Sequence, residues 1–475
     1  MPIPSRATTR PRLSGEPFDL LVIGGGITGA GVARDAALRG LRTALVERDD
    51  FASGTSSRSS RLVHGGVRYL EHGYLHLVWE SSRERHTLLQ IAPHLVHPLQ
   101  FTWPVYRGAR LSRWKIVAGL WLYDLLSFFR NTHPHRALSV AGVLAEEPRL
   151  RHEALTGGAL YFDAATDDAR LTLANVVSAV DGGAAALNYA DVTALLTAGD
   201  RVCGAVVHDR MAGDALHVNA RVVLNACGPW TDSIARLENP GAAPALRGSK
   251  GVHITVPAER IGNRQAVTML DPADGRVLFT LPGGDVSIIG TTETETTQDP
   301  HEVRATAADV QYLVDAANAF WPAAQLTTAD VIAAWAGIRP LIASHAASAG
   351  SASREHAITT GPRGVVAITG GKLTTYRAMA EEAVDVVERA LGRRPTPSRT
   401  AHERLPDPGR EFACTVADVL VRRTKVAFNT RDHGASQAPA VARELAAVLG
   451  WDEPAIAQAL DDYRAEIARL FTIEP

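Results

Sequence analysis

The sequence predicts an α/β protein of two layers: a parallel-sheet layer assembled from separated segments, and an antiparallel layer covering it. Two observations predict the first layer. Residues 19–47 read as strand, glycine turn, helix and strand, closing on Glu47, and residues 364–391 repeat the strand–glycine–helix pattern. A third observation predicts the second layer. Short apolar runs separated by turn residues lie at 251–256, 277–281 and 286–290, as in an antiparallel sheet.

Residues 20–23 are an apolar run suited to a strand buried on both faces. Gly24, Gly26 and Gly29 follow with G-x-G-x-x-G spacing. Gly24 permits the tight turn, Gly26 leaves room for a pyrophosphate, and Gly29 lets the next helix pack closely on its strand. The helix N-terminus offers unpaired N–H groups to the phosphates. Glu47 closes the second strand, 42–46, where a carboxylate accepts hydrogen bonds from ribose hydroxyls. The fingerprint implies a bound dinucleotide without separating FAD from NAD.

A chain of 475 residues holds about two or three domains. Hydrophobic residues at 46% and charged residues at 21% suit a globular protein, and the net charge of -2 argues against a nucleic-acid binder. Cys203, Cys227 and Cys414 lie far apart, which points to a reducing compartment with neither a disulfide framework nor a zinc site; no metal is expected. Residues 1–16 carry arginines without an apolar core and read as a loose leader, not a secretory signal. No stretch reaches the roughly 20 apolar residues of a membrane helix. The nearest, 116–129, is interrupted by Asp124 and preceded by Arg110, Arg113 and Lys115. It reads as a buried helix with a basic cap in preference to an amphipathic patch on a membrane.

The loop 49–61 is rich in small polar residues and follows a strand end, where parallel sheets place ligands. It brings Thr55, Ser56 and Ser57 toward the cofactor's phosphates. Gly65 and Gly66 let the backbone pass something bulky, with Arg68 and Tyr69 just beyond. Residues 74–92 read as helix, 93–104 break helix repeatedly, and 140–153 form a short helix and turn. A helix starts at 167. Short strands at 185–189, 191–196, 202–208 and 216–218 suggest a meander, and 221–226 returns to a buried strand ending in Cys-Gly-Pro-Trp. A helix spans 302–320. Gly370, Gly371 and Lys372 separate the strand 364–369 from a helix of about 374–391.

Six blocks then carry a resemblance. They are Gly-Thr-Ser-Ser-Arg-Ser-Ser-Arg-Leu-Val-His-Gly-Gly-Val-Arg-Tyr-Leu-Glu (54–71), Asp-Asp-Ala-Arg-Leu (167–171), Asn-Ala-Cys-Gly-Pro-Trp (225–230), Ser-Ile-Ile-Gly-Thr-Thr-Glu (287–293), Gly-Ile-Arg-Pro-Leu (337–341) and Gly-Gly-Lys-Leu-Thr-Thr-Tyr-Arg (370–377). In this order the chain resembles the FAD-dependent glycerol-3-phosphate dehydrogenases. The resemblance implies an α/β fold like that of D-amino-acid oxidase: a Rossmann-type FAD-binding domain, an antiparallel-sheet substrate domain and a short helical C-terminal region. It also implies FAD over NAD. FAD-binding segments are expected at about 17–75, 160–230 and 360–391, and substrate-domain segments at about 76–159 and 231–359, all within 17–391. A linker at 392–410 leads to a shortened helical domain at 411–475, in which the early helices of the family's C-terminal domain look deleted.

The implied reaction is oxidation of sn-glycerol 3-phosphate to dihydroxyacetone phosphate, with hydride passing from C2 to flavin N5 and electrons going to quinone. A dianionic phosphate needs fixed cations, preferably arginine for its bidentate fork. Arg68, Tyr69, Arg339 and Lys372 are therefore expected on the substrate; the base candidates are His253 and His64, since a histidine of near-neutral pKa suits that role, and the resemblance implies His253 as the base, with His64 expected beside the flavin. His253, Arg339 and Lys372 form the expected catalytic set. Gly24, Gly26, Gly29, Glu47, Thr55, Ser56, Ser57, His64, Gly65, Gly66, Gly371, Lys372, Leu373 and Thr374 are expected on FAD. The alternatives are oxygen as acceptor, an amine or amino-acid oxidase of the same fold, and a truncated non-enzymatic FAD-binding paralogue. Expected partners are the substrate, a quinone or another electron acceptor, a second copy in a homodimer and a peripheral membrane contact; nucleic acid is not expected. The expected location is cytoplasmic, peripheral on the inner face of the cytoplasmic membrane.

Overall fold

The structure, a computed structural model, describes residues 5–128, 130–272, 274–343 and 355–475, apart from the side chains of Arg68 and His72. Strand β1 (Phe18–Ile23) is buried along its whole length, as its unbroken apolar run requires. It lies parallel between β2 (Thr43–Val46) and β10 (Asp214–Asn225), with Leu20 opposite Thr43 on one side and Val222 on the other. β7 (Ala185–Leu187) extends the sheet beyond β2, and β18 (Val366–Gly370) extends it beyond β10. β17 (His356–Thr360) is an antiparallel edge on β18. The first half of β10 turns away and joins β8 (Ala190–Ala198) and β9 (Arg201–Asp209) in an antiparallel ladder. Helices α2 (Ile27–Leu38), α6 (Asp168–Asp181) and α10 (Tyr376–Ala390) bury small residues such as Ala30, Ala33 and Ala380 in the core of this layer.

The second layer is an antiparallel-rich sheet of ten strands among the described residues. Its long strands are β4 (Val96–Tyr106), β6 (Leu155–Thr166), β11 (Leu246–Pro257) and β16 (Ala333–Ile342). β12 (Ala266–Leu270), β13 (Val277–Pro282) and β14 (Val286–Gly290) bridge β4 to β11. β3 (Leu62–Val63) and β5 (Arg136–Leu138) flank β6, and β15 (Thr294–Thr296) edges β11. Around the sheet lie α3 (Leu75–Ile91), α4 (Arg113–Leu126), α5 (Val140–Glu146), α7 (Thr231–Glu238), α8 (Ala258–Ile261) and α9 (Ala307–Phe320). The C-terminal region holds a π-helical turn (Asp418–Arg423), α11 (Val426–Asn429), α12 (Ala438–Leu449) and α13 (Glu453–Phe471).

Three expectations need correction. Within the expected loose leader, Arg6–Gly15 form α1. Arg6 and Arg10 both pair with the fully buried Asp209, at 2.5 and 2.9 Å, while Leu13 inserts into the core. The segment boundaries also shift. β3 and the whole of β6 belong to the antiparallel sheet, because β6 pairs with β4 from Thr166 back to Leu155, whereas β17 belongs to the parallel one. Finally, α4 is only half buried. Ile116, Leu120 and Tyr123 face inward, while Trp114 and Trp121 on the other side are 69% and 60% exposed, with Leu125 and Phe128 beside them. Asp124, the residue interrupting the apolar run, is buried and accepts hydrogen bonds from Asn131 and His135, so it anchors the chain after the helix.

Candidate active site

A cavity of about 450 Å³ opens at the carboxyl ends of β1, β2, β10 and β18 and runs to the antiparallel sheet. Parallel sheets bind ligands at this end. Gly24 (φ 105°) turns the chain out of β1, and a Cβ there would lie 2.7 Å from the Ala226 carbonyl. A Cβ on Gly29 would collide with the Gly24 carbonyl at 1.9 Å, so helix and turn pack as closely as the spacing implied. At Gly26 a Cβ would meet only the Ser56 Oγ, which accepts the Ile27 N–H at 2.9 Å. Glu47 accepts the N–H groups of Gly25 (2.6 Å) and Asp49 (2.9 Å), and burial pushes its carboxyl up to about 7. Across the cleft, Gly370 and Gly371 (φ 73° and 81°) turn the chain from β18 into the single turn Leu373–Thr375 and α10. The indole Nε1 of Trp230, on the cleft wall, is buried without a hydrogen-bond partner among the described residues.

These features fit a flavin dinucleotide. The open glycine turn faces a helix start, the Glu47 carboxylate just after β2 lines the cavity, and an indole N–H on its wall has no partner among the described residues. Gly24, Gly26, Glu47, Thr55, Ser56, His64, Gly371, Lys372, Leu373 and Thr374 all line the cavity. Four expected contacts do not. Gly29 packs behind the turn. Ser57 is buried behind the wall, with its Oγ toward the Gly54 carbonyl. Gly65 faces inward: its N–H donates to Asp163, and a Cβ would strike the Tyr123 hydroxyl. Gly66 lines a smaller neighbouring cavity of about 120 Å³.

The inner end of the cleft gathers the polar side chains. Arg339 on β16 lies opposite Ser249 and extends over Gly251, where a Cβ would come within 2.4 Å of its Nη2. It donates to Thr291 Oγ1 at 2.7 Å and to the Thr292 carbonyl at 3.3 Å. Lys372 donates to Ser81 Oγ at 2.6 Å and sits 4.6 Å over the Tyr69 ring, a cation–π contact. His64 stacks beside Tyr69, and its N–H donates to Thr374 Oγ1, tying the two halves of the cleft together. Arg339, Tyr69 and His64 line both cavities, with Ser60 and Leu62. The Arg68 side chain lies outside the described residues.

His253 is 2% exposed, lines the large cavity and shares a 2.9 Å hydrogen bond between Nε2 and Ser60 Oγ. The expected near-neutral pKa is corrected: burial, with Arg339 and Arg61 close by, pushes the imidazole down to about 3. It is therefore held neutral throughout the physiological range, and the same burial makes it a weaker base than an exposed imidazole. Sequence reasoning missed Ser60 as its partner, Trp335 stacked on its ring, Trp230 on the cleft wall and Arg276 in the smaller cavity. Ser60 stood within a loop already expected at the cofactor, but nothing in its spacing pointed to a histidine nearly two hundred positions away.

Fold and site together define a flavin-dependent oxidoreductase of the two-layer kind. Residues 19–377 match the family described as FAD dependent oxidoreductase, and residues 409–456 match the C-terminal domain of alpha-glycerophosphate oxidase. Glycerol-3-phosphate dehydrogenase 2 of Mycobacterium tuberculosis is 43% identical over 400 residues, covering 83% of this chain and 67% of its own. The mitochondrial glycerol-3-phosphate dehydrogenase of Homo sapiens is 40% identical over 400 residues, covering 81% of this chain and 54% of its own. The solved glycerol-3-phosphate dehydrogenase of Bacillus halodurans with FAD superimposes with a TM-score of 0.83 at 31% identity, covering 99% of both chains. The chain belongs to the glycerol-3-phosphate dehydrogenase family of FAD-dependent oxidoreductases.

Proposed function

We propose that this protein oxidises sn-glycerol 3-phosphate to dihydroxyacetone phosphate and delivers the electrons to a membrane quinone. The observation carrying the reading is the convergence of Arg339, Lys372, Tyr69 and His253 at the inner end of the flavin cleft. Bound FAD would supply the two-electron acceptor for the hydrogen on C2. Arg339, already braced by Thr291 and Thr292, binds the substrate's phosphate with its planar fork. Lys372, held by Ser81, adds a second cation, and Tyr69 adds a polar edge. The C2 hydroxyl proton passes to His253 at Nε2, which shares a hydrogen bond with Ser60 Oγ on the cavity wall. The turn before α10 presents positive partial charge to the reduced cofactor.

Anaerobic mixing of the yellow protein with sn-glycerol 3-phosphate tests the reaction. Rapid bleaching of the flavin is expected; bound FAD that stays oxidised would overturn the reading, and amino acids would be tried next.

Quinone is favoured over oxygen by α4. Trp114, Trp121, Leu125 and Phe128 present an apolar face flanked by Arg110, Arg113, Lys115 and Arg130, the make-up of a helix lying in a membrane interface. Among the described residues no helix is long and apolar enough to cross a membrane. The protein would thus rest on the inner face of the cytoplasmic membrane. Rapid reoxidation of the reduced enzyme by a short-chain quinone, with slow reoxidation by oxygen, is the expected result.

A further inference from the structure

The wall behind His253 is built by the C-terminal region. Phe428 packs edge-on against Trp335 with centroids 4.9 Å apart, and Trp335 stacks on the His253 ring at 5.4 Å and 12°. The Phe428 carbonyl accepts the hydroxyl of Thr255, two positions along β11 from His253, at 2.8 Å. The Arg61 guanidinium lies over both aromatic rings, 4.9 Å from Phe428 and 5.5 Å from Trp335.

The same segment also holds the partner of His253. Ser59 donates its N–H and hydroxyl to Asp168 Oδ2 at 3.1 and 2.7 Å, which fixes the loop carrying Ser60. Lys425 donates to Asp168 Oδ1 at 2.8 Å. Lys425 has φ 61°, a left-handed backbone conformation that costs a residue with a side chain and persists where its surroundings enforce it. Lys425, Asp168, Phe428, Trp335 and Thr255 are each no more than 5% exposed. Two buried routes, one aromatic and one ionic, therefore converge on the histidine and its serine.

We propose that Lys425 and Phe428 are positioning residues for the His253–Ser60 pair, which makes the C-terminal region a working part of the active site. The proposal rests on reading His253 as the base. Neither residue touches the cavities, so both act through the pair.

The test is anaerobic stopped-flow reduction of the full-length FAD-loaded enzyme by sn-glycerol 3-phosphate, separating the limiting rate from the substrate Kd. Phe428→Leu and Lys425→Met are expected to slow the limiting rate about 10- to 100-fold while Kd and FAD content stay put, because misplacement by about 1 Å costs of that order. Lys425→Arg should recover most of the rate. Lys425→Met leaves Asp168 without its buried cation, which threatens folding; Phe428→Leu keeps every ion pair and then decides. In a His253→Gln background, Phe428→Leu should add no further loss, since residues acting as one unit are not additive. Native-rate reduction by Phe428→Leu, or equal slowing in both backgrounds, would overturn the proposal. Native-rate reduction by His253→Gln alone would instead overturn the assignment of the base.

Discussion

Arg339 carries the sharpest expectation among single residues. Its guanidinium is fixed before substrate arrives, so Arg339→Ala removes charge-assisted bonds worth about 2–3 kcal/mol, or roughly 30- to 150-fold in KM, without loss of FAD. Steady-state kinetics with flavin content as the control measure this. His253 makes a different kind of statement. Its folded pKa lies at about 3, below the 6.5 of an exposed histidine. The unfolded chain therefore binds a proton below 6.5 that the folded chain refuses until about 3, so stability present above 6.5 is lost as pH falls through that window. Glu47 has the opposite sign. Its carboxyl is raised from 4.5 to about 7, so its contribution is complete below 4.5 and lost as pH rises toward 7. Melting of the FAD-free protein across pH should show the acid loss diminished in His253→Gln and the loss toward neutrality diminished in Glu47→Gln. Both residues were legible as candidates, Glu47 from its place at a strand end and His253 from its family motif, and both line the cavity. Their altered pKa values were not, because burial and the neighbouring Arg61 and Arg339 arise only on folding.

Elements were legible where local pattern decides them and illegible where distant partners do. The turn at 24–29 followed from glycine spacing together with the flanking strand, helix, second strand and Glu47, and α10 from the strand and glycine pair before it. α1 had no such pattern: its sequence is polar and holds Pro11, and its helix is fixed by Asp209 from another part of the chain. α4 was recognised as a helix, but which of its aromatic residues face outward depends on Leu120 and Tyr123 finding the core. Replacing Trp114 and Trp121 together with Ser should weaken sedimentation with anionic vesicles at least about tenfold while leaving reduction by sn-glycerol 3-phosphate intact. Unchanged sedimentation would remove α4 from the membrane contact. The π-helical turn carries another long-range bond. Arg422 and Arg423 both reach the fully buried Asp50, at 2.6 Å each, just beyond Glu47. Asp50→Ala would leave the buried Arg423 without a carboxylate partner, while Arg422 keeps Asp418, and should cost about 3–5 kcal/mol, read as a lowered Tm.

At the scale of the whole molecule, the cleft has no single owner in the sequence. One wall comes from β1 and its turn, the facing wall from β18 and the turn before α10, the floor from β11 and β16, and the backing of that floor from Phe428. The two-layer architecture was readable because each layer kept its own period: buried apolar runs in one, short strands between turns in the other. Where the layers exchange strands was not readable. β6 looks as apolar as a parallel strand, and only its long pairing with β4 assigns it to the other sheet. This scattering has a consequence for biosynthesis. Gly24 leaves the ribosome long before Lys372, a delay of roughly 20–70 s at about 5–20 residues per second. Through that interval the nascent chain owns half a binding site. Flavin capture should therefore follow synthesis of the second glycine turn, and ribosome-bound chains arrested before residue 364 should leave FAD fluorescence unquenched.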